Sequence, residues 1–419
     1  LHLWFFEIDP VKQGWVLQNK DGFRERKRSA ERFLFCSECR IRKGGNTLNG
    51  LVCQSCATVH PMNDPRWRCG CGGLLDIRFE ARLDPEKIAR RKPTMWRYRE
   101  ALPIGDDAAV VSFDEGMTPI LPVELGPGVL HLKLEQLFTT GSYKDRGAAV
   151  LVSKAKELGI ERVVEDSSGN AGCAIAAYAA KAGIRCEILV PESTSPGKLA
   201  QILFYGAALK RIPGSREETA KAALAAAEST YYASHSWNPF FFQGTKTFAY
   251  EVWEQMGFRA PDAILLPAGN GTLLIGSYIG FRDLKEAGRI DRIPRHIAVQ
   301  AANCAPLLRM FRDGLDVVPP VESRETIAEG VAIAAPVRGK EIVDIVRRTG
   351  GQVVAVDDAE VENALLLLGR KGLYVEPTSA LPVAAYLKYP ALHGGVMVAP
   401  LTGHGLKANE KMLKIASVR

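Results

Sequence analysis

The chain has 419 residues, of which 47% are hydrophobic and 24% charged, with a formal net charge of +7. Such a length can bury two substantial cores plus a small appendage, and no apolar run approaches the ~20 residues needed to span a bilayer. The basic clusters Arg24 to Arg28 and Arg90 to Lys92 are not interleaved with aromatic residues, so they read as solvated surface, and neither nucleic acid nor membrane is expected as a partner.

In chain order, the opening segment Leu1 to Phe6 is too short for the apolar core of a signal peptide and has no basic segment before it, which points to a cytoplasmic protein. The sequence starts without methionine, and residues 1–35 are read as a leader of doubtful structure. Six of the nine cysteines then fall between Cys36 and Cys71. In a chain of cytosolic character that clustering argues for metal over disulfides. Cys53-x-x-Cys56 followed by Cys69-Gly70-Cys71 can bring four thiolates together around a structural zinc. Cys36 and Cys39 with Cys53 and Cys56 form an equally legal ribbon, and reduced cysteines without metal are the third possibility. The glycines Gly70, Gly72 and Gly73, which supply turn freedom, favour Cys53, Cys56, Cys69 and Cys71.

Residues 85–100 read as a charged linker or short helix, and the alternation from Val129 to Glu135 marks a strand. The loop Thr140-Gly-Ser-Tyr-Lys144 then runs into an amphipathic helix with Leu151, Val152, Ala155 and Leu158 at helical spacing and Gly159 as its stop. Lys144 sits in the first turn, where the positive end of the helix dipole disfavours an ammonium and so favours a nucleophilic amine. Taken alone, the same residue is an ordinary exposed lysine.

Beyond it the elements alternate. Strands are expected at 162–165, 186–190, 208–212 and 231–235, with helices at 174–182, 198–204 and 217–229. A second set follows, with strands at 263–267, 296–300, 352–356 and 396–401 and a helix at 273–286 that begins just after the glycine loop 268–272. Short strands separated by helices imply parallel sheets covered on both faces. A strand, a glycine loop and a helix start can cradle a phosphate, although plain turn chemistry explains the loop equally well.

Taken together, five stretches resemble the fold-type II pyridoxal-phosphate enzymes, the tryptophan synthase β-like family, and within it the threonine synthase-like members. They are the knuckle ending in Cys71-Gly-Gly, the block Gly141-Ser-Tyr-Lys-Asp-Arg-Gly147, the loop Ser168-Gly-Asn170, Glu376-Pro-Thr-Ser-Ala380 and Thr402-Gly-His-Gly-Leu406. The resemblance covers 113–406. It implies two parallel-sheet α/β domains with an N-terminal zinc-knuckle module, arranged as 36–80 for the knuckle, 81–160 with 246–419 for the large cofactor-binding domain, and 161–245 for a small inserted domain. It implies that Lys144 holds pyridoxal 5'-phosphate covalently and, once released, acts as the general base. Asn170 would bond the cofactor's phenolic oxygen, Gly269, Asn270, Gly271 and Thr272 its phosphate, and Thr402 its ring nitrogen. Ser168, Gly169, Ala171 and Ser236 would meet the amino-acid substrate. The resemblance further implies a homodimer acting on a small amino acid by elimination and addition, with O-phosphohomoserine as the first choice of substrate.

One departure bears on that choice. Where threonine synthases carry an arginine for the substrate phosphate, the stretch His235-Ser-Trp-Asn-Pro-Phe-Phe241 presents a phenyl ring. His235, Ser236 and Lys246 remain as an anion site, and a β-replacement or dehydratase enzyme, cysteate-synthase-like or serine/threonine dehydratase-like, is the alternative. A zinc-knuckle adaptor on a degenerate scaffold is the alternative of another class.

Overall fold

The computed structural model of the protein describes residues 5–9, 14–18, 49–126, 128–194 and 196–417. Apart from an antiparallel hairpin of β1 (Phe5–Asp9) and β2 (Gly14–Gln18), the leader lies outside the described residues, as do Cys36 and Cys39. That hairpin belongs to a unit of residues 1–46, and residues 47–419 form a second compact unit.

Within the second unit the first element is a three-stranded antiparallel sheet of β3 (Gly50–Cys53), β4 (Val59–His60) and β5 (Leu75–Arg78), in the order β4-β3-β5. A hairpin of β6 (Ile120–Leu125) and β7 (Gly128–Lys133) follows. The smaller parallel sheet comprises β8 (Arg162–Glu165), β9 (Arg185–Pro191), β10 (Ala208–Ile212) and β11 (Tyr231–Tyr232), ordered β10-β9-β8-β11. The larger sheet adds β12 (Ala263–Pro267), β13 (Arg295–Ala301), β14 (Gln352–Val356) and β15 (Met397–Pro400) to the hairpin, ordered β14-β13-β12-β15-β7-β6. Only β6 runs antiparallel there. Ala263 to Leu266 in β12 have no exposed surface, as a parallel strand covered on both faces requires.

The order of the larger sheet decides where the chemistry gathers. Adjacent strands β7, β15 and β12 send out the loops that carry Lys144, Thr402 and Gly269 to Gly271. In the smaller sheet, neighbours β8 and β11 send out those that carry Ser168 and His235. Five loops at the carboxyl ends of parallel strands thus face one space, the usual ligand position in such folds.

The helix Lys144–Glu157 departs from the amphipathic expectation, since every residue from Asp145 to Ala155 is buried. It runs through the interior because small residues let its neighbours approach. A Cβ on Gly147 would meet the Phe241 ring at 2.3 Å, and one on Gly244 would meet the Arg146 carbonyl at 1.9 Å. The helix also carries Arg146, which donates to Glu135 at 2.7 Å and to Glu251 at 2.6 Å. Lys133 donates to Glu251 at 2.7 Å, and all four side chains are fully buried. Two cations face two carboxylates, the pairing a buried charge requires.

Several element boundaries shift by a residue or two, and three by more. The helix expected at 174–182 starts at Asn170, the one expected at 217–229 spans Arg216–Ala226, and the strand expected to reach His235 stops at Tyr232 and leaves the imidazole in a loop. Among the described residues no helix is long and apolar enough to cross a membrane.

Candidate active site

The loop before Lys144 is fixed from both sides. Thr140 N–H donates to the Asp145 carboxylate at 2.9 Å, so the first acid of the helix pins the loop that leads into it. Tyr143 N–H donates to the Thr402 carbonyl at 3.1 Å and His404 N–H to the Gly141 carbonyl at 2.9 Å, which ties the Lys144 and Thr402 loops together. The Lys144 amine donates to Thr272 Oγ1 at 3.0 Å, with the Tyr143 hydroxyl 2.7 Å from the same oxygen. The Tyr143 and Phe241 rings lie 5.1 and 5.5 Å from the amine. Burial among these groups pulls the Lys144 pKa down to about 7; Glu165 opposes the shift and Arg216 adds to it.

A cavity of about 760 Å³ opens over this amine. Lys144, residues 168–171, residues 269–272 and Thr402 all line it, so the structure brings together the positions expected to hold the cofactor and most of those expected to hold substrate. Gly271 has φ +67°, and a Cβ there would meet Ile342 Cδ1 at 2.3 Å. Glycine is therefore required at the turn that starts the helix Thr272–Glu286, whose free amides and dipole favour an anion.

Ser236 is not among the residues that line the cavity, whereas Ser168, Gly169 and Ala171 are. The Ser236 hydroxyl lies 3.3 Å from Ser234 Oγ, and its carbonyl accepts from Arg338 Nε at 3.1 Å. The strand β11 ends at Tyr232, and of His235 and Ser236 in the loop after it, His235 lines the cavity. Lys246 is also removed from the anion site, because it is buried against Asp283 at 2.9 Å. Phe241 is core, packed on Gly147.

Several residues had no role in the sequence reading. Glu376, quoted there only within a signature, accepts from Asn170 Nδ2 at 2.9 Å and from the Thr402 hydroxyl at 3.0 Å. Ser379 Oγ lies 3.1 Å from that hydroxyl and takes part in fixing it. Burial raises the Glu376 pKa, while the bonds from Asn170 and Thr402 counteract this. Glu165, fully buried, lies 2.6 Å from His235 Nδ1, and His235 Nε2 lies 3.2 Å from Asn270 Nδ2. Burial pushes the Glu165 carboxyl up to about 8 and His235 well below its ordinary value, so the two groups resist charging together. Arg216, the first residue of its helix, also lines the cavity. The helix expected at 217–229 left it just outside, and nothing local in the sequence pointed it at a site.

The cysteine module presents a second constellation. The sulfurs of Cys53, Cys56, Cys69 and Cys71 all lie within 4.8 Å of one another, with Cys53–Cys71 and Cys56–Cys71 at 3.5 Å and Cys56–Cys69 at 3.6 Å. A tetrahedral zinc with Zn–S bonds of about 2.3 Å has sulfur–sulfur edges of about 3.8 Å, so the donor set and spacing fit that ion. Gly72, at φ +84°, turns the second pair, and a Cβ on Gly73 would meet Cys53 Sγ at 2.7 Å. The module is riveted to the smaller sheet: Trp67 Nε1–H donates to the Ala227 carbonyl at 3.3 Å, and its ring packs 5.1 Å from Tyr232 and 5.4 Å from Trp237. On the other side, buried Arg338, just before the helix Gly339–Arg348, donates to Asp76 at 2.9 Å and to the Leu75 carbonyl at 2.7 Å.

A lysine of lowered basicity beside a glycine-turn anion cradle, set between two parallel sheets, defines a cofactor-dependent enzyme of the kind that works through an amine. Residues 111–403 match the family "Pyridoxal-phosphate dependent enzyme", and the chain belongs to it. It is similar to the threonine synthase of Methanocaldococcus jannaschii, 36% identical over 389 residues that cover 87% of this chain and 96% of the relative. A second threonine synthase, from Methanosarcina acetivorans, is 33% identical over 87% of this chain and 94% of its own length. Among solved structures, a threonine deaminase from T.th. superposes with a TM-score of 0.59 at 29% identity, covering 69% of this chain and 92% of that one. The serine racemase from Dictyostelium discoideum gives a TM-score of 0.59 at 26% identity, covering 69% and 92%.

Proposed function

We propose that the protein is a threonine synthase, which takes O-phosphohomoserine and water to threonine and phosphate. One observation carries this: the similarity to curated threonine synthases spans 87% of the chain, well beyond the enzyme-family match of 111–403. The residues of the cavity fit the cofactor this requires. Lys144 would hold it, the turn 269–272 would take its phosphate, and Asn170 and Thr402 would face its ring.

Bound there, pyridoxal phosphate supplies an electron sink that acidifies the protons next to an amino group. The chain's own residues do the rest. With its pKa near 7, the released Lys144 amine is substantially neutral at physiological pH and can accept a proton from the substrate's α-carbon. Thr272 Oγ1 accepts from that amine and fixes its direction. Thr402 offers a hydroxyl instead of a carboxylate, so no negative charge of its own sits at the ring nitrogen and the sink stays mild. Ser168, Gly169 and Ala171, at the start of the helix Asn170–Ala182, would receive the substrate carboxylate. Cys53, Cys56, Cys69 and Cys71 would hold a zinc that is structural, since four thiolates leave no open position.

A dehydratase is the second reading, favoured by the likeness to the T.th. threonine deaminase. The test is one panel on the cofactor-loaded enzyme. Phosphate and threonine formed from O-phosphohomoserine are the expected outcome; 2-oxobutyrate from threonine or pyruvate from serine, without phosphate release, would replace this reading with the second.

A further inference from the structure

The phenyl ring at position 241 leaves the substrate's phosphate without the guanidinium that the resemblance led us to expect, and the cavity holds other cations. Lys144 is committed to the cofactor. Lys411 pairs with Glu329 at 2.7 Å, and the Lys407 amine is engaged by the Thr140 carbonyl at 2.8 Å and the Gln201 side-chain oxygen at 2.6 Å. Arg216 differs from these. It stands at the first position of the eleven-residue helix Arg216–Ala226, lines the cavity, and among the described residues has neither a hydrogen bond nor a carboxylate at salt-bridge distance. Of its first-turn neighbours, Glu218 pairs with Lys221 at 2.8 Å, and the backbone N–H groups of Glu217 and Glu218 donate to Ser215 Oγ at 3.1 and 3.4 Å. An uncommitted guanidinium facing a cavity is available for a bidentate oxyanion.

The same cavity contains a second unusual device, and it comes from the stretch that lost the arginine. His235 lines the cavity while its Nδ1 lies 2.6 Å from the fully buried Glu165. The carboxyl group behind the imidazole fixes the ring's orientation, with Nε2 on the side of the cavity-lining Asn270. The charged groups around this ring are Glu165 and Asp166 from β8 and the loop after it, Lys144 from its helix and Arg216 from the opposite helix. Asp166 is already engaged, accepting from the Tyr232 hydroxyl at 2.7 Å. Asn270 Nδ2, 3.2 Å from Nε2, joins the imidazole to the glycine turn.

We propose that Arg216 and the Glu165-backed His235 together form the anion end of the substrate pocket, taking the phosphate of the substrate in place of an arginine at position 241. The assignment rests on the threonine synthase reading for its substrate, but it binds any small tetrahedral oxyanion and is tested without turnover. The cation is supplied from the smaller sheet's helix instead of from the helix Pro239–Thr245, so the anion contact and the substrate-carboxylate loop come from one body.

The experiment is calorimetric titration of inorganic phosphate into the pyridoxal-phosphate-loaded enzyme, with Arg216→Met, Arg216→Lys and His235→Asn beside it. The loaded wild type should bind one phosphate beyond the cofactor's own. Arg216→Met should weaken that binding by about 10- to 100-fold, the range for losing a charge-assisted contact, with Arg216→Lys between. His235→Asn should weaken it as well, and visible absorbance should show the cofactor retained in each variant. Should His235→Asn fail to fold, the exposed Arg216 still decides the matter. Absence of phosphate binding in the wild type, or an affinity unchanged in Arg216→Met, would overturn the assignment. An enzyme that makes threonine with that affinity unchanged refutes this inference alone. One that binds phosphate through Arg216 yet makes no threonine refutes only the earlier reading.

Discussion

The Lys144 amine and the Thr272 hydroxyl, 128 positions apart in sequence, meet at 3.0 Å across the mouth of the glycine turn. That one bond couples the residue expected to hold the cofactor's aldehyde to the segment expected to hold its phosphate. It also keeps the amine in a buried place where its pKa falls to about 7. The rate at which cofactor-free protein takes up pyridoxal phosphate should therefore rise with pH and level off just above 7, where the amine is neutral. An unperturbed lysine would keep rising to about 10. Stopped-flow absorbance distinguishes the two curves, and Lys144→Ala should show no visible band at any pH.

Glu376 is the shared acceptor for Asn170 and Thr402. Glu376→Ala leaves both donors facing an enclosed space, at about 1–3 kcal/mol for each unsatisfied group. Cofactor affinity should drop by roughly tenfold or more, read by spectrophotometric titration. Glu376→Gln should lose less, because its amide keeps one acceptor oxygen. An Ala variant with wild-type affinity would remove Glu376 from the site.

For the cysteine module, Cys53→Ser and Cys69→Ser should each abolish bound zinc in metal analysis of the purified protein. Cys36→Ser and Cys39→Ser should leave it in place. Because Trp67 fastens the module to the end of the helix Arg216–Ala226, zinc loss should also expose residues 208–230 to limited proteolysis. Retention of zinc in Cys69→Ser, with loss in Cys36→Ser, would move the site to the upstream pair.

Arg146 neutralises Glu135 and Glu251 in the interior. Replacing it with methionine roughly keeps the volume, leaves buried Glu135 without a cation and leaves Glu251 with Lys133 alone, a cost of about 3–5 kcal/mol. The denaturation midpoint of the cofactor-free protein should fall accordingly, and Arg146→Lys should recover part of the loss. A midpoint within error of wild type would mean the carboxylates protonate without consequence.

How much of this could be read from the sequence depended on the distance over which each feature is decided. Strands such as Ala263–Pro267 and Gln352–Val356 match residue for residue, because continuous β-branched and leucine runs leave no other assignment. The helix after Ser168 begins four residues earlier than expected, because Asn-Ala-Gly reads as a loop. Gly172 in fact lets the first turn pass so close to Ser167 that a Cβ would lie 1.8 Å from its carbonyl oxygen. The Lys144 helix shows some hydrophobic periodicity, but burial on all sides comes from partners whose approach no single stretch records. For the same reason Glu165 and His235, 70 positions apart on neighbouring strands and their loops, could not be paired in advance. The resemblance supplied Lys144, Asn170 and Thr402; only the fold supplies Glu376 as the group that joins two of them.

Phe241 lies against Gly147 with no room for even a methyl group between backbone and ring. A guanidinium placed there would have to leave water for a site shaped around a flat hydrocarbon, and any enlargement at Gly147 closes the same space from the other side. The ring thus depends on a bare backbone at position 147, and a side chain added there would have to displace it.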